Sequence, residues 1–309
     1  VLAVDYYVSP TGNNSNNGTS TSTPWQTIAR VNQVDFNAGD RVFFQGGQSF
    51  SGTISITSED GGTSSSPVVI GSYGTGRATI AAPANAAGID IYNVGGISIR
   101  DLVVQGPGKN STSGTGISFY TDLANNVKVQ FGRIDNVEVF GFRNGIQIGA
   151  WNASTGWNDV RITNSIARDN LHSGISTYAQ NSNVHTNLYI GNCRAYSNTG
   201  DPNSTGNTGS GIVIGNANGA TVERCVAYNN GIDNKPTEGP VGIWAYYSNN
   251  VTIQLNEAYD NKTSNGDGGG FDLDLGVTNS VMQYNYSHDN AGAGYMLWGA
   301  GGGNIVRYN

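Results

Sequence analysis

Two aspartates two residues apart, Asp272 and Asp274, sit in the run Gly266-Asp267-Gly268-Gly269-Gly270-Phe271-Asp272-Leu273-Asp274-Leu275-Gly276. The alternation of apolar and acidic residues from Phe271 to Leu275 predicts a short strand. Phe271, Leu273 and Leu275 then share one face and the two carboxylates the other. Like charges side by side raise at least one pKa, so such a pair can hold one proton and lack another. That is the arrangement of an acid and a base working on opposite sides of one bond, as in glycoside hydrolysis. Asp267, Asp272 and Asp274 together with glycine carbonyls would alternatively offer the hard oxygens that Ca²⁺ prefers.

Aromatic residues fall beside these acids once the chain is aligned on its own repeat. A glycine followed by an apolar residue recurs at Gly88, Gly116, Gly145, Gly174, Gly211, Gly242, Gly270 and Gly294, an interval of about thirty residues. The residues one and three beyond each glycine are nearly all apolar, from Ile89/Ile91 and Ile117/Phe119 to Phe271/Leu273 and Tyr295/Leu297. The residues between them form two outward columns. One reads Asp90, Ser118, Gln147, Ser176, Val213, Trp244, Asp272, Met296; the other Tyr92, Tyr120, Gly149, Tyr178, Gly215, Tyr246, Asp274, Trp298. Trp244, Tyr246, Tyr178 and Trp298 are thus expected on the same wall as the acids, as flat surfaces for the C–H faces of sugars. The competing expectation is that the loops 199–210 and 233–240 cover them. Glu238, in the second of those loops, is a reserve acid. His288 is expected either in a stack with Tyr196, Tyr228 and Tyr259 or as a substrate contact.

A second short strand follows each glycine (Val160-Arg-Ile, Leu188-Tyr-Ile, Val251-Thr-Ile), and a third segment ends in Asn170, Asn198, Asn230, Asn261 or Asn290. Three short strands per repeat predict an all-β chain wound as a parallel β-helix of about eight or more coils, its asparagines stacked as a ladder. Residues 1–40 differ: a strand at Tyr6-Tyr-Val, a polar loop, and an amphipathic helix over Trp25–Val34 that would cap the stack. Residues 41–309 are expected to be one β-helical domain. Its last coil is short and its upper face bare, which implies a missing segment or a further chain there.

Composition narrows the partners. Fifteen Lys+Arg against 22 Asp+Glu give a net charge of −7, unsuited to nucleic acid or anionic membranes. No apolar run is long enough to span a bilayer. The first five residues fit the remnant of a cleaved signal peptide, which suits a secreted protein. The two cysteines, Cys193 and Cys225, occupy equivalent repeat positions, poor geometry for a disulfide; two buried thiols are expected.

The segment Tyr6-Tyr-Val-Ser-Pro-Thr-Gly followed by Pro24-Trp-Gln-Thr-Ile, with the repeats after it, resembles the right-handed parallel β-helix proteins of the pectin-lyase-like superfamily. The resemblance covers nearly the whole chain and implies a secreted enzyme acting on a polysaccharide. It also implies the right hand of the coil, in keeping with the usual parallel crossover. The Asn-Thr-Asp motif of polygalacturonases and the Asp-Pro-His-Glu motif of alginate epimerases do not occur. The leading expectation is a glycoside hydrolase using Asp272 and Asp274 without a cofactor. A calcium-dependent uronate lyase and a non-catalytic glycan-binding or adhesin β-helix are the rivals. The lyase lacks a basic residue in the outward slots flanking the acids.

Overall fold

The computed structural model describes residues 2–111 and 114–309. The chain winds into stacked coils, each full coil contributing one strand to each of three parallel sheets; among the described residues these have 11, nine and nine strands, the longest gaining Asp5–Val8 at one end and Ile305–Arg307 at the other. Within each sheet every strand pairs with the equivalent strand one coil away, in register throughout. The register follows from side-chain alternation: a slip by one residue would carry every inward Ile to solvent. The strands that follow the marker glycines form one sheet, running from Ile54–Ile56 through Thr115–Thr121, Ser173–Ala179 and Val241–Tyr246 to Gly269–Leu273 and Tyr295–Leu297. Ile89, Ile117, Phe119, Ile146, Ile175, Ile212, Ile243, Phe271 and Leu273 on these strands are fully buried in one continuous core.

Polar ladders tie coil to coil where the chain turns. Asn170 donates through Nδ2 to Asn198 Oδ1 at 3.1 Å, Asn198 to Asn230 at 2.9 Å, Asn230 to Asn261 at 2.9 Å and Asn261 to Asn290 at 2.9 Å. Each of these carbonyl oxygens also takes the backbone N–H of the asparagine one coil earlier. A second column runs Cys193, Cys225, Asn256, Asn285. Both thiols are free and buried, and Cys193 N–H donates to Cys225 Sγ at 3.4 Å, so the cysteines act as ladder members. A third ladder is aromatic: Tyr196, Tyr228, Tyr259 and His288 stack at 4.7, 4.9 and 5.0 Å.

The N-terminal segment departs from its expected form. Asp5–Val8 is a strand at the end of the first sheet, paired with Arg41–Gln45. The helix is a single turn, Ile28–Val31, not Trp25–Val34. Trp25 is instead fixed in a β-bridge to Val8 and stacks on Tyr6 at 4.7 Å, and Thr27 caps the turn through its side chain. The two buried residues Ile28 and Val31 are what this turn contributes to closing the core.

The asparagine ladder sets a stability expectation. Asn230→Ala takes from the backbone N–H of Asn198 and the carbonyl of Ala195 their buried side-chain partner, while Asn261 Oδ1 keeps the backbone N–H of residue 230. Unsatisfied buried groups cost roughly 1–3 kcal/mol each, so the variant should lose about 3 kcal/mol in denaturant unfolding. An unchanged unfolding midpoint would show the ladder to be incidental.

Candidate active site

Asp272 belongs to the strand Gly269–Leu273, whose register places it directly between Trp244 of the preceding coil and Met296 of the next. Its side chain points off the outer wall, as the alternation requires, yet only 1% of the residue is exposed. Loops from three successive coils cover it. Asn207 Nδ2 donates to Gly239 O at 2.7 Å, and Gly239 N–H donates to Asp267 Oδ2 at 2.9 Å, which laces the loops together. Between them and the wall lies a cavity of about 480 Å³, lined by Glu238, Tyr246, Asp267, Asp272, Asp274 and Trp298 among others.

Oδ1 of Asp272 is buried with no hydrogen-bond partner. Burial pushes the Asp272 pKa up to about 8. The charges of Asp274 and Asp267 add to the rise, and the Trp298 backbone amide partly offsets it. Asp274 is raised less far: burial is again the first cause, opposed by the hydrogen bond it accepts from Leu275 N–H at 2.6 Å. Asp274 therefore ionises first, and its charge adds to the burial that holds the proton on Asp272. One cavity thus contains a neutral carboxylic acid and a carboxylate at neutral pH.

The strand is shorter than the sequence pattern predicts. It stops at Leu273, and the chain turns at Asp274, with Val277 N–H donating to Asp274 O at 3.0 Å. Gly276 has a φ of +69°, which a side chain would strain, and Leu275 is exposed and lines the cavity mouth instead of the core. Both aspartates still face the cavity, since the turn comes after the second.

Most of the expected site residues converge there, and some do not. Tyr246, Trp298 and Glu238 line the cavity, and Trp298 is 59% exposed at its rim. Trp244 lines its floor but is a covered residue, not an open platform. Its Nε1–H donates to Ser210 Oγ at 3.0 Å, and it packs with Val213 and Val241 under the loop 199–210. Tyr178 lies outside, two coils below Tyr246 on the same column. His288 is also outside, on the next sheet. It stacks on Tyr259 and bonds Asp289 at 2.7 Å and Glu257 at 3.2 Å, and these two acids raise its pKa. It is a ring of the stack and not a contact in the cavity. Asp267, Asp272 and Asp274 share the cavity but do not converge as ligands. Among the described residues no group of three His, Cys, Asp or Glu is placed to hold a metal ion. The calcium reading therefore does not fit these side chains as they stand.

Asn207 and Tyr247 are lining residues that the sequence pattern missed. Asn207 is in an insertion outside the repeat; Tyr247 has a φ of +44°, just past the strand end. His185, which has no cluster of ligands in sequence, is a structural residue. It donates from Nε2 to Tyr178 O at 2.8 Å and accepts from Trp157 N–H at 3.2 Å, and burial pushes its pKa down to about 4.

Comparison with known proteins agrees with the architecture. A family model described as a right handed beta helix region matches residues 186–309. Two crystal structures of a GH136 lacto-N-biosidase from Eubacterium ramulus superpose with TM-scores of 0.78 and 0.76 at 20% and 19% identity. In each case the match covers 99% of this chain and 59% of the other, so the chain spans less than two thirds of those proteins. Pectate lyase Pel9A matches with a TM-score of 0.46 and 18% identity over 99% of this chain and 78% of that one. No curated protein matches the sequence. At these identities the likeness is one of fold: the chain is a right-handed parallel β-helix.

The buried acid makes stability depend on pH. The folded state holds the Asp272 proton up to about pH 8, whereas an unfolded chain releases it near 3.8. Stability from this group is complete below pH 3.8 and is lost as pH rises through 8. Asp272→Asn should therefore have a larger unfolding free energy than wild type at pH 8, by an amount on the order of a few kcal/mol, with the difference vanishing near pH 4. A difference independent of pH would contradict the burial of an ionisable group.

Proposed function

We propose that this chain is a glycoside hydrolase in which Asp272 is the general acid and Asp274 the base. The observation that carries the reading is the pairing of an enclosed, neutral carboxyl with an ionised one on the same wall of a cavity that has room for sugar rings. Asp272 would donate its proton to the glycosidic oxygen as the bond breaks. Asp274 would take a proton from the attacking water, after which the two carboxyls exchange states. Tyr246 and Trp298 supply ring faces for the sugars bracketing the bond, and Glu238 and Asp267 supply acceptors for their hydroxyls.

Charge supports hydrolysis over elimination. Glu238, Asp267, Asp272 and Asp274 line the cavity, and none of the described lining residues is Lys, Arg or His. A uronate lyase needs a cation to neutralise the substrate carboxylate and a base to remove the C5 proton. An acidic cavity repels a uronate and suits a neutral glycan. That solved structures of a glycosidase share the fold is in keeping with this reading.

The test is product analysis by mass spectrometry on a panel of neutral and acidic plant, algal and animal glycans. Cleavage with gain of water is expected on neutral substrates, and kcat should fall by about 10²–10⁴ in Asp272→Asn and in Asp274→Asn. The rate should decline on the basic side near pH 8, where Asp272 loses its proton. Unsaturated products, or full activity in both variants, would reject the assignment.

A further inference from the structure

Below the cavity, the same outer column carries aromatic rings at alternate coils from Tyr120 upward; Tyr92, one coil beneath Tyr120, stacks on it at 6.1 Å. Tyr120, Tyr178 and Tyr246 are separated by Gly149 and Gly215, and Trp298 follows Asp274. The glycines are seats. A Cβ added to Gly149 would stand 2.5 Å from each of Cε1, Cζ and Oη of Tyr178. A point that far from all three atoms cannot lie in the ring plane, so the hydroxyl end of the ring lies across the glycine. Gly215 is covered in the same manner by Tyr246, at 2.3–2.5 Å from the corresponding atoms. Each ring leans one coil back, Tyr178 over Gly149 and Tyr246 over Gly215. Both rings keep partial exposure, Tyr246 between Trp244 at 5.3 Å and Tyr247 at 5.8 Å. The neighbouring column supplies hydroxyl and amide groups beside them, Ser118, Gln147 and Ser176.

We infer that this column is a binding track for a linear neutral glycan, with one ring platform for every second sugar. Coils rise about 4.8 Å each, so platforms recur at about 9.6 Å, close to the length of a disaccharide. A chain with a disaccharide period can therefore present the same face to Tyr120, Tyr178 and Tyr246 in turn and enter the cavity at its end. The inference rests on the hydrolase reading for what the cavity does, but the track binds whether or not the cavity cuts.

Asp272→Asn protein, which should bind without turnover, can be titrated calorimetrically with cello-, xylo- and N-acetylchito-oligosaccharides and poly-N-acetyllactosamine fragments of two to eight residues. Affinity for at least one series should rise stepwise by pairs of residues, at least tenfold from dimer to hexamer. Tyr178→Ala should remove that gain and leave disaccharide affinity intact. Gly149→Ala, which keeps the ring but lifts it from its seat, should have the same effect in a protein whose circular dichroism is unchanged. Affinities independent of length, no binding in any series, or a full gain retained in both variants would overturn the track. Hydrolysis at the wild-type rate in Asp272→Asn would instead reject the catalytic assignment and leave the track standing.

Discussion

The structure depends on parallel strands stacking without a shift from coil to coil. Once Ile243 lies over Ile212 and Phe271 over Ile243, every other residue of those strands is placed as well. Asp272 must then stand above Trp244, whose indole N–H is taken by Ser210, and beneath Met296, which has no donor to offer. The backbone around it is already committed to strand pairing. Beyond the one backbone amide of Trp298, a carboxyl held in such a row can be stabilised by water or by a proton, and the loops remove the water.

Those loops are additions to the repeat that leave its register untouched. They leave the coil just before the marker strands, so the wall they cover is the one that carries the outward columns. The bonds from Asn207 to Gly239 and from Gly239 to Asp267 fasten successive loops to one another. The same cover that raises the Asp272 pKa also seals Trp244 against Ser210. One ring is withdrawn from solvent as the acid is, while Tyr246 and Trp298 remain at the surface of the cavity.

The coil, its inward column and the sharing of a wall by Asp272, Asp274, Tyr246 and Trp298 were legible in the sequence, because strand alternation and a glycine marker repeat in every coil. The asparagine ladder and the ring stack ending at His288 were legible for the same reason. What was not legible came from loops outside the repeat and from local breaks in its pattern. The depth to which loops bury Trp244 depends on how they fold over it, and no period encodes that. The end of the strand at Leu273 depends on a turn at Asp274, where the alternating pattern runs on to Leu275. The helix expected over Trp25–Val34 shrank to one turn because Trp25 finds a strand partner and a ring partner instead, which a helical apolar pattern cannot report.

The central claim is that one enclosed carboxyl keeps its proton at neutral pH while its neighbour does not. Carbon-13 NMR of protein labelled at the aspartate side-chain carboxyls, titrated from pH 3 to pH 10 and assigned with Asp272→Asn, measures it directly. The account predicts an Asp272 resonance that titrates near pH 8, well after that of Asp274. An Asp272 resonance that titrates in the ordinary carboxylate range would contradict it.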